Sequence, residues 1–145
     1  MLLPDDLIIQ KNCSKDMISL HNKKKCSIMA SMSVNKKTVN RWGIYSKKSK
    51  INKNNFYVKD VVEKPSIKLA PSNNAVIGRY ILPKKIFLKL TKQKKGKGDE
   101  IHITDAIRKL INEGELFIAH TFKGKYLDCG TMSGYIKSSL EISKI

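Results

Sequence analysis

Three acidic positions in this chain stand where a carboxylate could meet a ligand. Asp5 and Asp6 follow the apolar run Met1-Leu2-Leu3, Glu63 and Lys64 close an apolar stretch just before Pro65, and Asp128 lies between Leu127 and Cys129-Gly130. An aspartate just beyond an apolar strand can aim its carboxylate into a crevice and hold Mg²⁺. That ion takes one or two carboxylates and fills its other positions with water and substrate phosphate. In α/β sheets, ligands bind where loops leave the carboxyl ends of strands. Glu63 and Lys64 could straddle such a ligand, Glu63 accepting from sugar hydroxyls and Lys64 donating to a phosphate. Neighbouring side chains on an extended segment point opposite ways, so this pair needs the strand end and the proline to serve one ligand. Each position also has a plain structural alternative: a helix-capping or turn aspartate at 5 and 6, a surface ion pair at 63 and 64, and a turn aspartate ahead of Gly130.

Other chemistries find no anchor. His21, His102 and His120 show neither H-x-H nor H-x-x-x-H spacing, so a histidine metal site or a Ser/His/Asp triad has nothing to build on. All three read as structural. Cys13, Cys26 and Cys129 are odd in number and contain no C-x-x-C pair, which argues against a disulfide framework or a thiolate zinc site. Cys129, beside Asp128, reads as a small buried thiol rather than a nucleophile. The basic loop at 93–98 contains glycines but not the G-x-x-x-x-G-K-[ST] spacing of a phosphate cradle.

The elements that must hold these residues alternate between short apolar runs and amphipathic stretches, the α/β pattern. Residues 1–3 read as the end of a buried strand, followed by an acidic loop. Asn12 can cap a helix with Cys13, Met17 and Leu20 on one face and Ile18 at its margin, ending in Lys23-Lys24-Lys25, where positive charge suits a helix C-terminus. Strands are expected at 26–32, 56–62, 75–82 and 116–122. Between them, 33–43 reads as a short helical or irregular turn and the Lys/Asn/Ser-rich 46–55 as a hairpin or exposed loop. Pro83 fits the first position of a helix running to about Leu90. The strongest helix carries Ile103, Ala106, Ile107, Leu110 and Ile111 at core spacing, with Thr104 as its cap and Gly114 as its stop. Residues 126–130 read as a turn and 132–142 as a last helix.

With 145 residues the chain is one domain, and it is strongly basic: 29 Lys and Arg against 12 Asp and Glu give a net charge of +17. Such charge would ordinarily point to nucleic acid. However, 26 of the 29 are lysines, scattered along the chain, whereas nucleic-acid readers favour the planar fork of arginine. Lys, Ile and Asn together make 54 residues, the joint excess that A/T-rich codons produce. Nucleic acid is therefore not the expected partner, and a small basic nucleic-acid-binding domain is the second reading. The field would still attract anionic substrates. No apolar run approaches the ~18 residues of a membrane span. The first twenty residues lack the basic-then-apolar order of a signal peptide, so a cytoplasmic, membrane-free protein is expected.

Several segments, taken in order, resemble one family. They are Val61-Val62-Glu63-Lys64-Pro65; Ala70-Pro71-Ser72-Asn73 leading into Val76-Ile77-Gly78-Arg79-Tyr80; Gly98-Asp99-Glu100-Ile101-His102-Ile103-Thr104-Asp105-Ala106-Ile107; and Gly124-Lys125-Tyr126-Leu127-Asp128-Cys129-Gly130 with Gly134-Tyr135. Leu2-Leu3-Pro4-Asp5-Asp6-Leu7 and Trp42-Gly43-Ile44 fit the same pattern. Together they resemble the bacterial UTP–glucose-1-phosphate uridylyltransferases, within the sugar-1-phosphate nucleotidyltransferases. The E-K-P and D-C-G motifs and the I-x-x-T-D-A-I-like segment favour the uridylyl branch over the thymidylyl one.

The resemblance implies a partial Rossmann-like, GT-A-like mixed sheet with flanking helices. It covers only the C-terminal half of the family, starting partway through a central strand, without the G-x-G-T-R loop that holds the nucleotide triphosphate. It further implies Mg²⁺ as cofactor, held by Asp5 and Asp128 with Asp6 a weaker neighbour. Glu63 would bind glucose hydroxyls and Lys64 the sugar-linked phosphate, while the backbone near Gly43, Asn73 and Gly78 would line the hexose pocket. The substrates would be UTP and glucose 1-phosphate, giving UDP-glucose and pyrophosphate. Full-length members are expected to be homo-oligomers. Residues 1–145 alone are expected to turn over poorly unless a separate chain supplies the other half.

Overall fold

The computed structural model describes all residues except Gln10 and Lys11, together with the side chain of Lys97. The chain runs β1 (Asp6–Ile9), α1 (Cys13–Lys24), β2 (Ser27–Ser33), a 3₁₀ turn (Lys36–Arg41), β3 (Gly43–Lys50), β4 (Asn55–Glu63), β5 (Asn74–Ile81), α2 (Ile86–Thr91), a short 3₁₀ turn (Lys97–Asp99), α3 (Ile103–Asn112), β6 (Phe117–Thr121), β7 (Lys125–Asp128) and α4 (Met132–Ile142). Five strands follow one another in the order β2-β5-β3-β4-β6 and close into a ring. β2 and β6 are parallel, and every other pairing is antiparallel. β1 and β7 form a separate two-stranded antiparallel ribbon.

Strand periodicity explains why helices cover both faces. Side chains on a strand alternate between faces. Thus Met29 of β2, Val76 of β5, and Phe117 and Ala119 of β6 join one core with Ala106, Ile107 and Leu110 of α3. Their neighbours Ile28, Ala30, Ile77 and Ile118 join a second core with Cys13 and Met17 of α1. The mixed sheet with flanking helices expected from sequence is the fold observed. No described helix is long and apolar enough to cross a membrane.

The differences from expectation are local. The acidic loop after residue 4 and the turn at 126–130 are in fact β1 and β7, paired Asp6↔Asp128 through Ile9↔Lys125. Strands of only four residues leave little periodic signal. Residues 46–55 form the hairpin, because both strands carry their pairing out to Lys50↔Phe56. Residues 1–3 do pair beside β5, but they are not buried: Met1 is 52% and Leu2 65% exposed. The cap of α3 is His102 rather than Thr104, which sits inside the helix with its hydroxyl directed elsewhere. Asn12 precedes α1 without a side-chain cap bond. α2 begins at Ile86, three residues past Pro83, whose carbonyl accepts the Ile86 N–H.

His120, buried on β6 with Nδ1 2.8 Å from Asn55 Oδ1, has its pKa lowered chiefly by burial, which disfavours the imidazolium. The unfolded chain therefore takes up a proton that the folded one resists. The resulting stability is present above the ordinary histidine pKa of about 6.5 and is lost as pH falls through the lower folded value. Urea unfolding followed between about pH 7.5 and 5.5 should show stability declining with acidification, and His120→Gln should flatten that decline.

Candidate functional site

The acidic side of the site is assembled by a short extended segment and a ribbon. Residues 1–3 lie along β5: Leu3 N–H donates to the Gly78 carbonyl and Tyr80 N–H to the Met1 carbonyl, both at 2.9 Å. Pro4, without an N–H, ends the pairing and delivers Asp5 and Asp6 to the rim. The Asp6 carboxylate accepts the Tyr126 hydroxyl from β7 and the Gly78 N–H from β5, the latter at 2.5 Å. Burial pushes the Asp6 carboxyl up, and those two donors pull it partly back. Burial, with the Asp6 hydrogen bond and charge, likewise drives the Tyr126 hydroxyl well above its usual range. The Trp42 ring packs edge-on against Tyr126, centroids 5.4 Å apart. Asp6 is therefore committed to holding the structure.

Asp5 and Asp128 are differently placed. Among the described residues no hydrogen bond engages the Asp5 carboxylate, while its backbone carbonyl accepts the Cys129 N–H at 2.8 Å. A Cβ built on Gly130 would lie 2.9 Å from Asp5 Oδ2 and 3.3 Å from Asp128 Oδ1. The two carboxylates thus converge on one small space that a glycine leaves open. Asp128 Oδ1 also accepts the Gly130 N–H at 3.0 Å, and its Oδ2 accepts Arg41 Nη2 at 3.1 Å.

Opposite them, the end of β4 meets the start of β3 at Gly43↔Glu63. Thr104 Oγ1 donates to Glu63 Oε2 at 2.6 Å, and His102 Nδ1 lies 3.8 Å from Glu63 Oε1. Gly43 makes this approach possible: a Cβ there would sit 2.9 Å from Thr104 Cγ2 and 3.1 Å from Glu63 Oε2. Lys64 adopts φ +41°, a left-handed backbone that costs a non-glycine residue on the order of 1–3 kcal/mol. It is anchored there by its N–H, which donates to the Trp42 carbonyl at 3.0 Å. The turn breaks strand alternation, so Lys64 and Glu63 border the same cleft, with Nζ 3.9 Å from Glu63 Oε1.

The cleft, of about 310 Å³, brings together Asp5, Asp128, Glu63, Lys64 and Gly43. Gly78 does not line it; it stands behind Asp6, where a Cβ would come within 2.6 Å of Leu3 Cβ. Asn73 is not brought in. Its amide donates to Ser33 Oγ at 3.0 Å and to the Val34 carbonyl at 3.2 Å, beside a separate cavity of about 420 Å³. Sequence reasoning missed Arg41, Thr104 and Tyr126 as cleft residues and read His102 as structural only. No local pattern marks a threonine inside a helix or a tyrosine on a short strand, because their partners lie 41 and 120 positions away.

The donor set fits a hard divalent cation carried with a phosphate. Among the described residues no group of three His, Cys, Asp or Glu could form an all-protein metal cage. Two carboxylates facing one gap is the complement Mg²⁺ commonly takes when phosphate oxygens and water complete its shell. A family model described as nucleotidyl transferase matches residues 1–145. The chain belongs to the nucleotidyl transferase family. It is 40% identical to a UTP–glucose-1-phosphate uridylyltransferase of Pseudomonas aeruginosa, over 96% of this chain and 50% of that protein. A crystal structure of UDP-glucose pyrophosphorylase complexed with UDP-glucose superposes with a TM-score of 0.90 at 42% identity, covering 99% of this chain and 55% of the other. The UTP-bound UGPase from Acinetobacter baumannii gives 0.80 at 32% identity, covering 97% and 49%. This nucleotidyl transferase chain therefore spans about half the length of the relatives it matches.

The Asp6 contacts make a stability test. Tyr126→Phe removes a donor from a mostly buried carboxylate and should lower the unfolding free energy by about 1–3 kcal/mol. Gly78→Ala, which forces Leu3 and Asp6 apart, should cost at least as much. Urea titration of the two variants against the parent measures both.

Proposed function

We propose that this chain carries the sugar-phosphate- and metal-binding half of a UTP–glucose-1-phosphate uridylyltransferase. The reading rests above all on the convergence of Asp5 and Asp128 on the space over Gly130, with Glu63 and Lys64 across the same cleft. The names of the relatives supply the substrates. In the reaction, a phosphate oxygen of glucose 1-phosphate attacks the α-phosphorus of UTP, the new P–O bond forms as the bond to the β-phosphate breaks, and pyrophosphate leaves. Such chemistry is mostly positioning and charge neutralisation.

Each residue then has a role. Asp5 and Asp128 would hold Mg²⁺, which neutralises charge on the phosphates. Glu63, fixed by the Thr104 hydroxyl, accepts from glucose hydroxyls. The Lys64 ammonium, at the end of its left-handed turn, donates to the sugar-linked phosphate. Gly43 leaves the backbone of β3 open to the hexose, Gly78 serves the pocket from behind Asp6, and Asn73 belongs to the neighbouring loop.

Turnover on this reading needs a complementary section, in a longer or a separate chain, to bind the triphosphate. The extended segment at residues 1–3, bridged to β5 at Leu2↔Arg79, supports this. Two apolar hollows flank it, one of about 260 Å³ beside Met17 and Ile18, the other of about 390 Å³ beside Ile86 and Phe87. An extended segment with apolar hollows on both sides is a surface that another section of chain can cover.

Calorimetric titration of residues 1–145 with UDP-glucose tests the assignment. Binding should require Mg²⁺, and Asp128→Asn or Asp5→Asn should weaken it by about tenfold or more. Binding unchanged by either substitution would refute the reading. Thr104→Val should weaken UDP-glucose by about tenfold by releasing Glu63, while Thr104→Ser retains it. UDP-glucose formation by these residues alone, at the rate of a full-length relative, would refute the need for a complementary section.

A further inference from the structure

Arg41 ends the 3₁₀ turn and reaches across to β7. Its Nη2 donates to Asp128 Oδ2 at 3.1 Å, and its Cζ lies 5.9 Å from the centre of the Trp42 ring. The guanidinium is thus oriented by a carboxylate and an aromatic ring. With Gly130 N–H on Oδ1, both oxygens of Asp128 are engaged, while the nearby Asp5 carboxylate has no hydrogen-bond partner among the described residues. Arg41 also stands on a ridge: it borders the 310 Å³ cleft and a second hollow of about 270 Å³ beside Thr131 and Lys137 of the α4 end. Its side chain is 58% exposed, so it can leave Asp128 without disturbing a packed core.

We propose that Arg41 is the resident counter-cation of the site, holding Asp128 until a divalent cation displaces it and so setting the affinity for that cation. The inference rests on the reading of Asp5 and Asp128 as the metal pair. A single guanidinium neutralises one carboxylate, whereas a divalent cation between them neutralises both. The cation, approaching from the Oδ1 side over Gly130, and the guanidinium on Oδ2 therefore compete for the single negative charge of Asp128. A ligand phosphate entering the cleft gives the displaced guanidinium a new acceptor, so cation and phosphate ligand favour each other's binding. A half-exposed ion pair of this kind is weak, which keeps the competition modest.

Titration of the 145-residue chain with Mn²⁺ alone, followed by loss of the free-ion electron paramagnetic resonance signal, reads this competition directly. Arg41→Gln should bind Mn²⁺ about three- to fivefold more tightly than the parent. Arg41→Lys, which keeps the charge but loses the planar fork, should fall between and serves as the second variant if the glutamine form does not fold. Adding UDP-glucose should narrow the gap between parent and variant. Equal or weaker Mn²⁺ binding by Arg41→Gln, with Asp128→Asn still abolishing uptake, would overturn the role of Arg41 while leaving the metal reading intact. Uptake unaffected by Asp128→Asn, or no uptake by any form with or without UDP-glucose, would overturn the metal reading and this inference with it.

Discussion

The site depends on how one carboxylate is held. Asp6 accepts the Tyr126 hydroxyl and the Gly78 N–H, and in doing so ties the β1–β7 ribbon to β5. A two-stranded ribbon is marginal by itself, and this one pairs with no other strand among the described residues. Hydrogen bonds to a charged group contribute about 1.5–3 kcal/mol each, enough to fix the ribbon where backbone pairing alone would not. With Asp6 opposite Asp128 in register, the residue before Asp6 and the end of β7 are carried to the same place. The convergence of Asp5 and Asp128 is thus a consequence of the Asp6 contacts.

The opposite wall is organised by the same means, a carboxylate held by a hydroxyl. Thr104 at the start of α3 secures Glu63, and the absence of a side chain on Gly43 lets the two approach. Four of the chain's twelve acidic residues, Asp5, Asp6, Glu63 and Asp128, border one cleft in a protein of net charge +17. The broad positive field favours the arrival of anionic ligands, while the local cluster of acids is the cation site of the proposed function.

Legibility in the sequence followed the strength of periodic patterns. The α3 stripe from Ile103 to Ile111 and the apolar strands at 56–62 and 116–122 are repeated signals that tertiary packing reinforces, and they were read nearly to their ends. The ribbon strands were not, because Asp6–Ile9 and Lys125–Asp128 are too short to show a period and gain their stability from a partner over a hundred residues away. Asp5, Glu63, Lys64 and Asp128 could be singled out because charge at the end of an apolar run is unusual. The division of labour between Asp5 and Asp6 could not, since neighbouring identical residues differ only in what surrounds them. Thr104 gave a misleading signal for a physical reason: threonine ahead of an apolar stripe is a good helix cap, and here its hydroxyl bonds Glu63 instead.

The relatives are about twice as long as this chain, and the function proposed for these residues is to hold one metal ion against one sugar phosphate. Diffraction at the manganese absorption edge from crystals grown with Mn²⁺ and UDP-glucose tests that most directly. The account predicts a single anomalous peak in the space over Gly130, bonded to carboxylate oxygens of both Asp5 and Asp128 and to phosphate. A peak coordinated by neither aspartate, or by Asp6 in their place, would contradict it.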